Sequence, residues 1–213
     1  MRYFLLFLIL TSCAGYKFRE KENPFMQFGV RSISVPMFYN HSSFPNVEGV
    51  FTKEVYQTML DYKGLTIKSG NQDADAVLVG IVTSPDKRKD TLVPNIFSSV
   101  KNIYGNNIFE GKRDDLYVPT QSTMSMQLRI IVIKQPTKEE ILFLATKLGE
   151  KALGAKIIFN EVIPLTITQS LKQLTGESIK VIGTQNRGIE RRSIDTLAKN
   201  AAISFKDMIL YAF

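Results

Sequence analysis

Any chemistry in this chain would have to be built from one cysteine, one histidine and a few clusters of charge. His41 stands in the polar run Asn40-His41-Ser42-Ser43, with no serine or thiol motif beside it to act as a nucleophile, so it reads as a solvated loop residue. A single imidazole excludes sites that need two. The acidic pairs Asp73/Asp75, Asp114/Asp115 and Glu139/Glu140 lie in turn-like surroundings and are expected to be solvated, not paired for acid–base work or metal binding. Residues 149–156, GEKALGAK, narrowly miss a phosphate-binding loop: the lysine comes one position late, and no Ser or Thr follows it to meet magnesium. The GxSxG, HExxH, CxxC and EF-hand patterns are absent. The expectation is therefore a non-enzymatic chain with no catalytic residue, no metal site and no cofactor.

Two basic clusters stand above this background. Lys87-Arg88-Lys89 follows directly on the apolar run Ala76 to Thr83, so it should project from one end of a sheet. Arg187, Arg191 and Arg192 are expected to open the last helix, where the dipole slightly disfavours cations and an outside anion would relieve them. With 27 Lys and Arg against 20 Asp and Glu, the net charge of +7 also favours an anionic partner, such as nucleic acid, anionic lipid or a phosphorylated glycan. These six residues are the candidate anion contacts.

The first residues choose among those partners. In MRYFLLFLIL, Arg2 precedes eight apolar residues, Tyr3 to Leu10. That is far short of the roughly 20 residues of a bilayer-spanning helix and fits the apolar stretch of a signal peptide. Leu10-Thr11-Ser12-Cys13 then resembles the bacterial lipobox, in which small residues precede a cysteine that becomes the new N-terminus. The resemblance implies a diacylglycerol thioether on Cys13, which gives the only cysteine a role needing no second thiol. Each buried acyl methylene contributes about 0.8 kcal/mol, so several chains on Cys13 would hold the protein at a membrane. By the sorting rule of enteric bacteria, Ala14 in place of Asp implies the outer membrane. Export sets nucleic acid aside as a partner and leaves lipid headgroups and lipopolysaccharide.

The remaining residues must supply the scaffold. Residues 13–27 read as a lipidated N-terminus and tether, and 28–213 as one domain with long excursions at about 85–118 and 149–187. Ile33, Val35 and Met37 alternate toward Pro36, which predicts a strand, at a sheet edge because proline lacks a ladder N–H. Tyr39 to Pro45 is polar and turn-like. Val47, Phe51, Val55, Met59 and Tyr62 form the apolar stripe of a helix over 46–62, with Glu48 in its first turn and Gly64 beyond its end. Leu65 to Lys68 allows a short strand, and AVLVGIVT at 76–83 reads as a central strand buried on both faces.

From Thr120 to Lys134, Met124, Met126, Leu128, Ile130 and Val132 alternate with Thr123, Ser125, Gln127 and Arg129, until the second face also turns apolar at Ile131 and Ile133. Ile141 to Lys147 is expected to pair back as a hairpin strand, Lys156 to Val162 to form a further strand stopped by Pro164, and 168–174 to make a helical turn. An apolar strand-like run lies within 176–184, and Ile194, Leu197, Ala198, Ala201, Phe205 and Ile209 predict a helix over 189–211. The sum is an α+β two-layer sandwich: a mixed, mainly antiparallel sheet with two amphipathic helices on one face and a polar second face.

Cys13-Ala14-Gly15-Tyr16-Lys17-Phe18, Ile33 to Asn40, Phe44 to Glu48 with Phe51-Thr52, Asp75 to Gly80, and Leu197, Ala198 and Ala201 together resemble the lipopolysaccharide-assembly lipoprotein family of the LptE type. The resemblance covers Cys13 to about Ser84 and resumes in the strand from Thr120 and the last helix. It implies a lipid-anchored protein on the periplasmic face of the outer membrane. Its partners would be lipopolysaccharide and the large LptD-like β-barrel that inserts lipopolysaccharide, in which it would act as a plug. A lipoprotein accessory of another envelope machine, such as a pilotin or scaffold, is the competing expectation. Only Cys13 carries a role across from the family.

Overall fold

The computed structural model describes residues 22–70, 73–84, 88–94, 117–144, 154–172 and 179–213. Seven strands form one mixed sheet: β1 (Ser32–Val35), β2 (Tyr39–His41), β3 (Thr66–Ser69), β4 (Ala76–Thr83), β5 (Lys89–Pro94), β6 (Tyr117–Lys134) and β7 (Ile157–Ser170). Three helices accompany them among the described residues: α1 (Val47–Leu60), α2 (Lys138–Leu144) and α3 (Ile179–Ala212). The strand order is β3-β1-β4-β6-β5, with β2 also on β4 and β7 also on β6. Pairing is parallel among β1, β2, β3 and β4 and antiparallel from β4 through β6 to β5 and β7. The expected α+β architecture is present, with α1 and α3 together on one face of the sheet.

The hydrophobic period accounts for that layer. Val47, Phe51, Val55 and Met59 of α1 are all buried, as are Leu197, Ala198, Ala201, Phe205 and Ile209 of α3. They meet Leu78 and Val82 of β4, and Met124, Met126, Leu128, Ile130 and Val132 of β6, in one core. Gly80 lies in the same row of β4. A β-carbon there would come within 2.4 Å of the Phe38 ring, so this glycine is required by close packing. Asn46, just before α1, adopts φ 59°, a left-handed conformation that Asn tolerates better than most residues.

Several local expectations are corrected. β1 is an interior strand between β3 and β4, because Pro36 falls just after its last ladder residue, where no N–H is needed. The polar stretch from Tyr39 contributes β2, which pairs Tyr39 with Ile81 and His41 with Thr83. His41 is therefore an exposed strand residue and not a loop residue. The segment expected as a hairpin strand from Ile141 is instead α2. Thr137 and Glu140 form a reciprocal capping box: the Thr137 N–H donates to Glu140 Oε2 at 2.8 Å, and the Glu140 N–H donates to Thr137 Oγ1 at 3.2 Å. The strand expected to stop at Pro164 continues to Ser170, replacing the first residues, 168–170, of the helical turn expected at 168–174, whose last two residues lie outside the described ones. Pro164 sits within this outer strand of the sheet, where proline is tolerated if its nitrogen faces away from the ladder.

The last helix starts at Ile179, ten residues before its expected start, and absorbs the apolar run at 179–182. Gly183 and Gly188 weaken the helical signal there, each by about 1 kcal/mol relative to alanine. Among the described residues, no helix is long and apolar enough to cross a membrane.

Candidate functional site

Residues 77, 79 and 81 of β4 and 121–133 (odd numbers) of β6 point away from the main core. At one end of this second face, Val77, Val79, Ile81, Ile131 and Ile133 form a small apolar cluster. Tyr39, Ile141 and Ile157 pack onto it, so α2 covers this end. The switch at Ile131 and Ile133 seen in the sequence thus marks where cover begins.

Beyond Arg129 the same face becomes a field of hydroxyls and amides. Cross-strand registers set Thr123 opposite Thr168, Ser125 opposite Thr166, Gln127 between Thr83 and Pro164, and Lys89 beside Thr123. Thr123 Oγ1 and Thr168 Oγ1 lie 2.9 Å apart, Thr166 Oγ1 donates to Ser125 Oγ at 3.4 Å, and Arg129 Nε donates to Asn160 Oδ1 at 3.0 Å. Ser84 Oγ donates to the Ser125 carbonyl at 3.2 Å, and Ser43 Oγ reaches Ser84 Oγ at 3.5 Å. Gln121, Gln127, Thr166, Thr168, Ser170 and His41 are exposed. The result is a broad, flat polar surface that can exchange many weak hydrogen bonds with a polar partner.

Arg88 and the arginines of the last helix meet on the helix-bearing side of the sheet, while Lys89 stands opposite Thr123 on the polar face. Lys87 and Cys13 lie outside the described residues. Arg88, just before β5, places Nε 2.8 Å from Asp90 Oδ1 and Nη1 3.6 Å from Glu190 Oε1, so it bridges β5 to α3. Lys89 opens β5 and is exposed. Arg187, Arg191 and Arg192 lie within about one turn of Glu190 and are exposed; Arg187 Nε also donates to the Gly183 carbonyl at 3.4 Å. The structure therefore brings Arg88 to the arginine cluster through Glu190. The expectation that these arginines open the helix is corrected. They lie more than two turns inside α3, where the end dipole has faded.

Several other singled-out groups are structural, and Asp114 and Asp115 lie outside the described residues. Asp75 Oδ2 accepts from the Arg31 N–H at 2.9 Å, the Ser32 N–H at 2.9 Å and Ser32 Oγ at 3.0 Å, tying β1 to the start of β4. Those donors, the Arg31 N–H foremost, hold its carboxyl below the usual range. Nothing local marks this role, because Arg31 and Ser32 lie far away in sequence. Glu140, besides capping α2, takes Lys156 Nζ at 2.7 Å, and that lysine keeps its carboxyl low. The end of the near-miss phosphate loop is thus a short 3-10 turn, Gly154–Lys156, whose lysine holds a carboxylate. Met124 and Met126 are buried core residues, as their spacing predicts. Among the described residues, no three His, Cys, Asp or Glu side chains gather as metal ligands. A cleft of about 520 Å³ at the other end of the sheet is lined by Lys134 and Lys156, both already engaged, Lys134 with the Phe28 carbonyl at 2.7 Å.

The fold belongs to the class of open mixed sheets with their two longer helices on one face. No protein-family model matches the chain, and no curated protein matches it. Solved structures show a loose likeness at very low identity. A candidate lipoprotein from Caulobacter crescentus CB15 is 7% identical, with 82% of this chain and 88% of that one covered and a TM-score of 0.41. Lipoprotein GNA1162 from Neisseria meningitidis is 9% identical over 76% of this chain and 96% of its own, with a TM-score of 0.35. Rare lipoprotein B from Shewanella oneidensis is 8% identical over 84% of this chain and 91% of its own, with a TM-score of 0.29.

Proposed function

We propose that the chain is a lipid-anchored, non-enzymatic outer-membrane protein of lipopolysaccharide transport and assembly. It docks on a large β-barrel through the polar face of its sheet. The observation that carries this reading is the exposed field of Thr and Gln side chains, with Ser125 and Ser170 among them, on one face of β6 and β7. The inner wall of a wide barrel is polar, and a flat hydroxyl surface suits it better than it suits lipid or an apolar groove. Lipobox-like Cys13 supplies the tether. Arg88, Lys89, Arg187, Arg191 and Arg192, with Lys87, supply cations that can pair with lipid-linked phosphates through charge-assisted hydrogen bonds.

Affinity purification of the protein from outer membranes should recover a large β-barrel, and Gln127→Trp with Thr166→Trp should abolish that recovery without unfolding the domain. Recovery of no barrel, under conditions that keep other envelope assemblies intact, would overturn the reading. Depletion separates it from a pilotin or scaffold role. Loss of surface lipopolysaccharide supports assembly, whereas loss of a secreted protein or appendage supports the alternative.

A further inference from the structure

One end of the domain carries large apolar side chains that are exposed among the described residues. Both α1 and α3 finish there. α1 leads from β2 back to β3, whose Thr66 is level with Ser32 at the start of β1. α3 runs antiparallel to β7: its Ser193 hydroxyl bonds Gln169 near the end of that strand, while Phe205 packs on Phe159 near its beginning at 5.7 Å. Beyond α3, Phe213 closes on Phe25 and Phe28, with ring centroids 5.5 and 5.4 Å away.

Exposed on this end are Leu60 at the close of α1, Leu210 and Tyr211 at the close of α3, and Met26 in the turn beside Phe25. Their exposures are 55%, 37%, 87% and 51%. The incoming chain reaches the domain at the same end. Glu22 bridges to Lys63, and Asn23 Nδ2 donates to the carbonyls of Val30, at 2.7 Å, and Gly64. Only eight residues, 14–21, separate Cys13 from Glu22. Fully extended, the stretch from Cys13 to Glu22 reaches about 30 Å, so a lipid on Cys13 keeps this end close to the bilayer.

We propose that in the lipidated protein, before it joins its partner, this end rests on the bilayer surface. Met26, Leu60, Leu210 and Tyr211 sit at the headgroup–acyl boundary. The inference rests on the lipid anchoring proposed above. An exposed tyrosine at a helix end, flanked by aliphatic side chains, suits that boundary, where an apolar ring and a polar hydroxyl are both satisfied. On the folded end Arg31, Lys63 and Lys134 are offset by Glu22, Asp61, Asp75 and Asp207, and the tether adds Lys17, Arg19 and Lys21 against Glu20. Zwitterionic phosphatidylethanolamine vesicles therefore isolate the apolar contact from attraction of the basic tether to anionic lipid. The sheet then stands along the membrane normal, and the polar face of β6 and β7 looks sideways, open to a neighbour in the same membrane.

The test exploits the absence of tryptophan from the native chain. A Tyr211→Trp variant of the lipidated protein is reconstituted into phosphatidylethanolamine vesicles whose acyl chains are brominated. A Gln121→Trp variant, at the far end of β6, serves as the reference. The expected result is several-fold stronger quenching and a blue-shifted emission for the Tyr211→Trp probe, weakened when Leu60→Asp is added. Equal or absent quenching, with Cys13 shown by mass spectrometry to be acylated, overturns the proposal and leaves the anchor standing. This includes the case in which ultracentrifugation shows a second copy covering the end. An unmodified Cys13 thiol in the mature protein overturns both.

Discussion

Asp75→Ala gives the sharpest test of how the sheet is assembled. The Asp75 carboxylate receives three donors from Arg31 and Ser32, and so fastens the first residues of β1 to the start of β4. Hydrogen bonds to a charged acceptor contribute about 1.5–3 kcal/mol each when sheltered. The site is only partly buried, so water takes over much of this on truncation, and screening reduces it further. A net loss of about 2–3 kcal/mol follows, which for a chain of this size lowers Tm by roughly 4–12 °C.

Asp75→Asn keeps an acceptor but loses the charge and should cost about half as much. The pH dependence has a definite sign. The folded carboxyl is held below its ordinary value of 3.8, so its contribution is complete above that pH and disappears as pH falls through the folded value. Thermal unfolding followed by circular dichroism from pH 7 down to pH 3 should therefore show the gap between wild type and Asp75→Asn narrowing below about pH 4. A Tm for Asp75→Ala within about 1 °C of wild type at pH 7, or a gap that does not narrow in acid, would refute the argument.

Three further outcomes follow from the packing and the charges. Gly80→Ala drives a methyl group into the Phe38 ring and should destabilise by about 1–3 kcal/mol in denaturant titration; pairing it with Phe38→Leu should recover part of that loss. Gly183→Ala and Gly188→Ala add a β-carbon where no atom lies within 4 Å, inside a helix, so each should stabilise by roughly 0.5–1 kcal/mol, read as a rise in denaturant midpoint. Arg191→Glu with Arg192→Glu reverses two exposed charges while leaving the Arg88–Glu190 contact alone. It should weaken binding to lipopolysaccharide micelles at low salt, with the difference closing as ionic strength rises; equal binding at low salt would reduce the cluster to a solvated surface.

Where one face of an element is buried, its period was readable. Val47, Phe51, Val55 and Met59 located α1, and the alternation through β6 told its covered face from its polar one. The unbroken apolar run of β4 reads as burial on both sides, and both clusters share that strand. Failures arise where pairing or capping decides. Tyr39-Asn40-His41 has weak strand character and becomes β2 because β4 offers it a ladder. Ile141 to Leu144 carries no period of its own, and the informative signal was the Thr137/Glu140 spacing just before it.

At the candidate site, the polar face of β6 was legible from alternation, and β7 completes it through a register that only the fold determines. Arg88 was visible as a cation. Its partner Glu190 was not, because no local pattern links residues so far apart in the chain.

β6 also has a mechanical consequence. It is flanked along nearly its whole length, by β7 on one side and by β4 and then β5 on the other. A pull applied lengthwise at either extremity loads those ladders in shear, many bonds at once, so they cannot unzip one by one. The strand thus acts as a tie-rod, passing tension from one extremity to the other with little stretch.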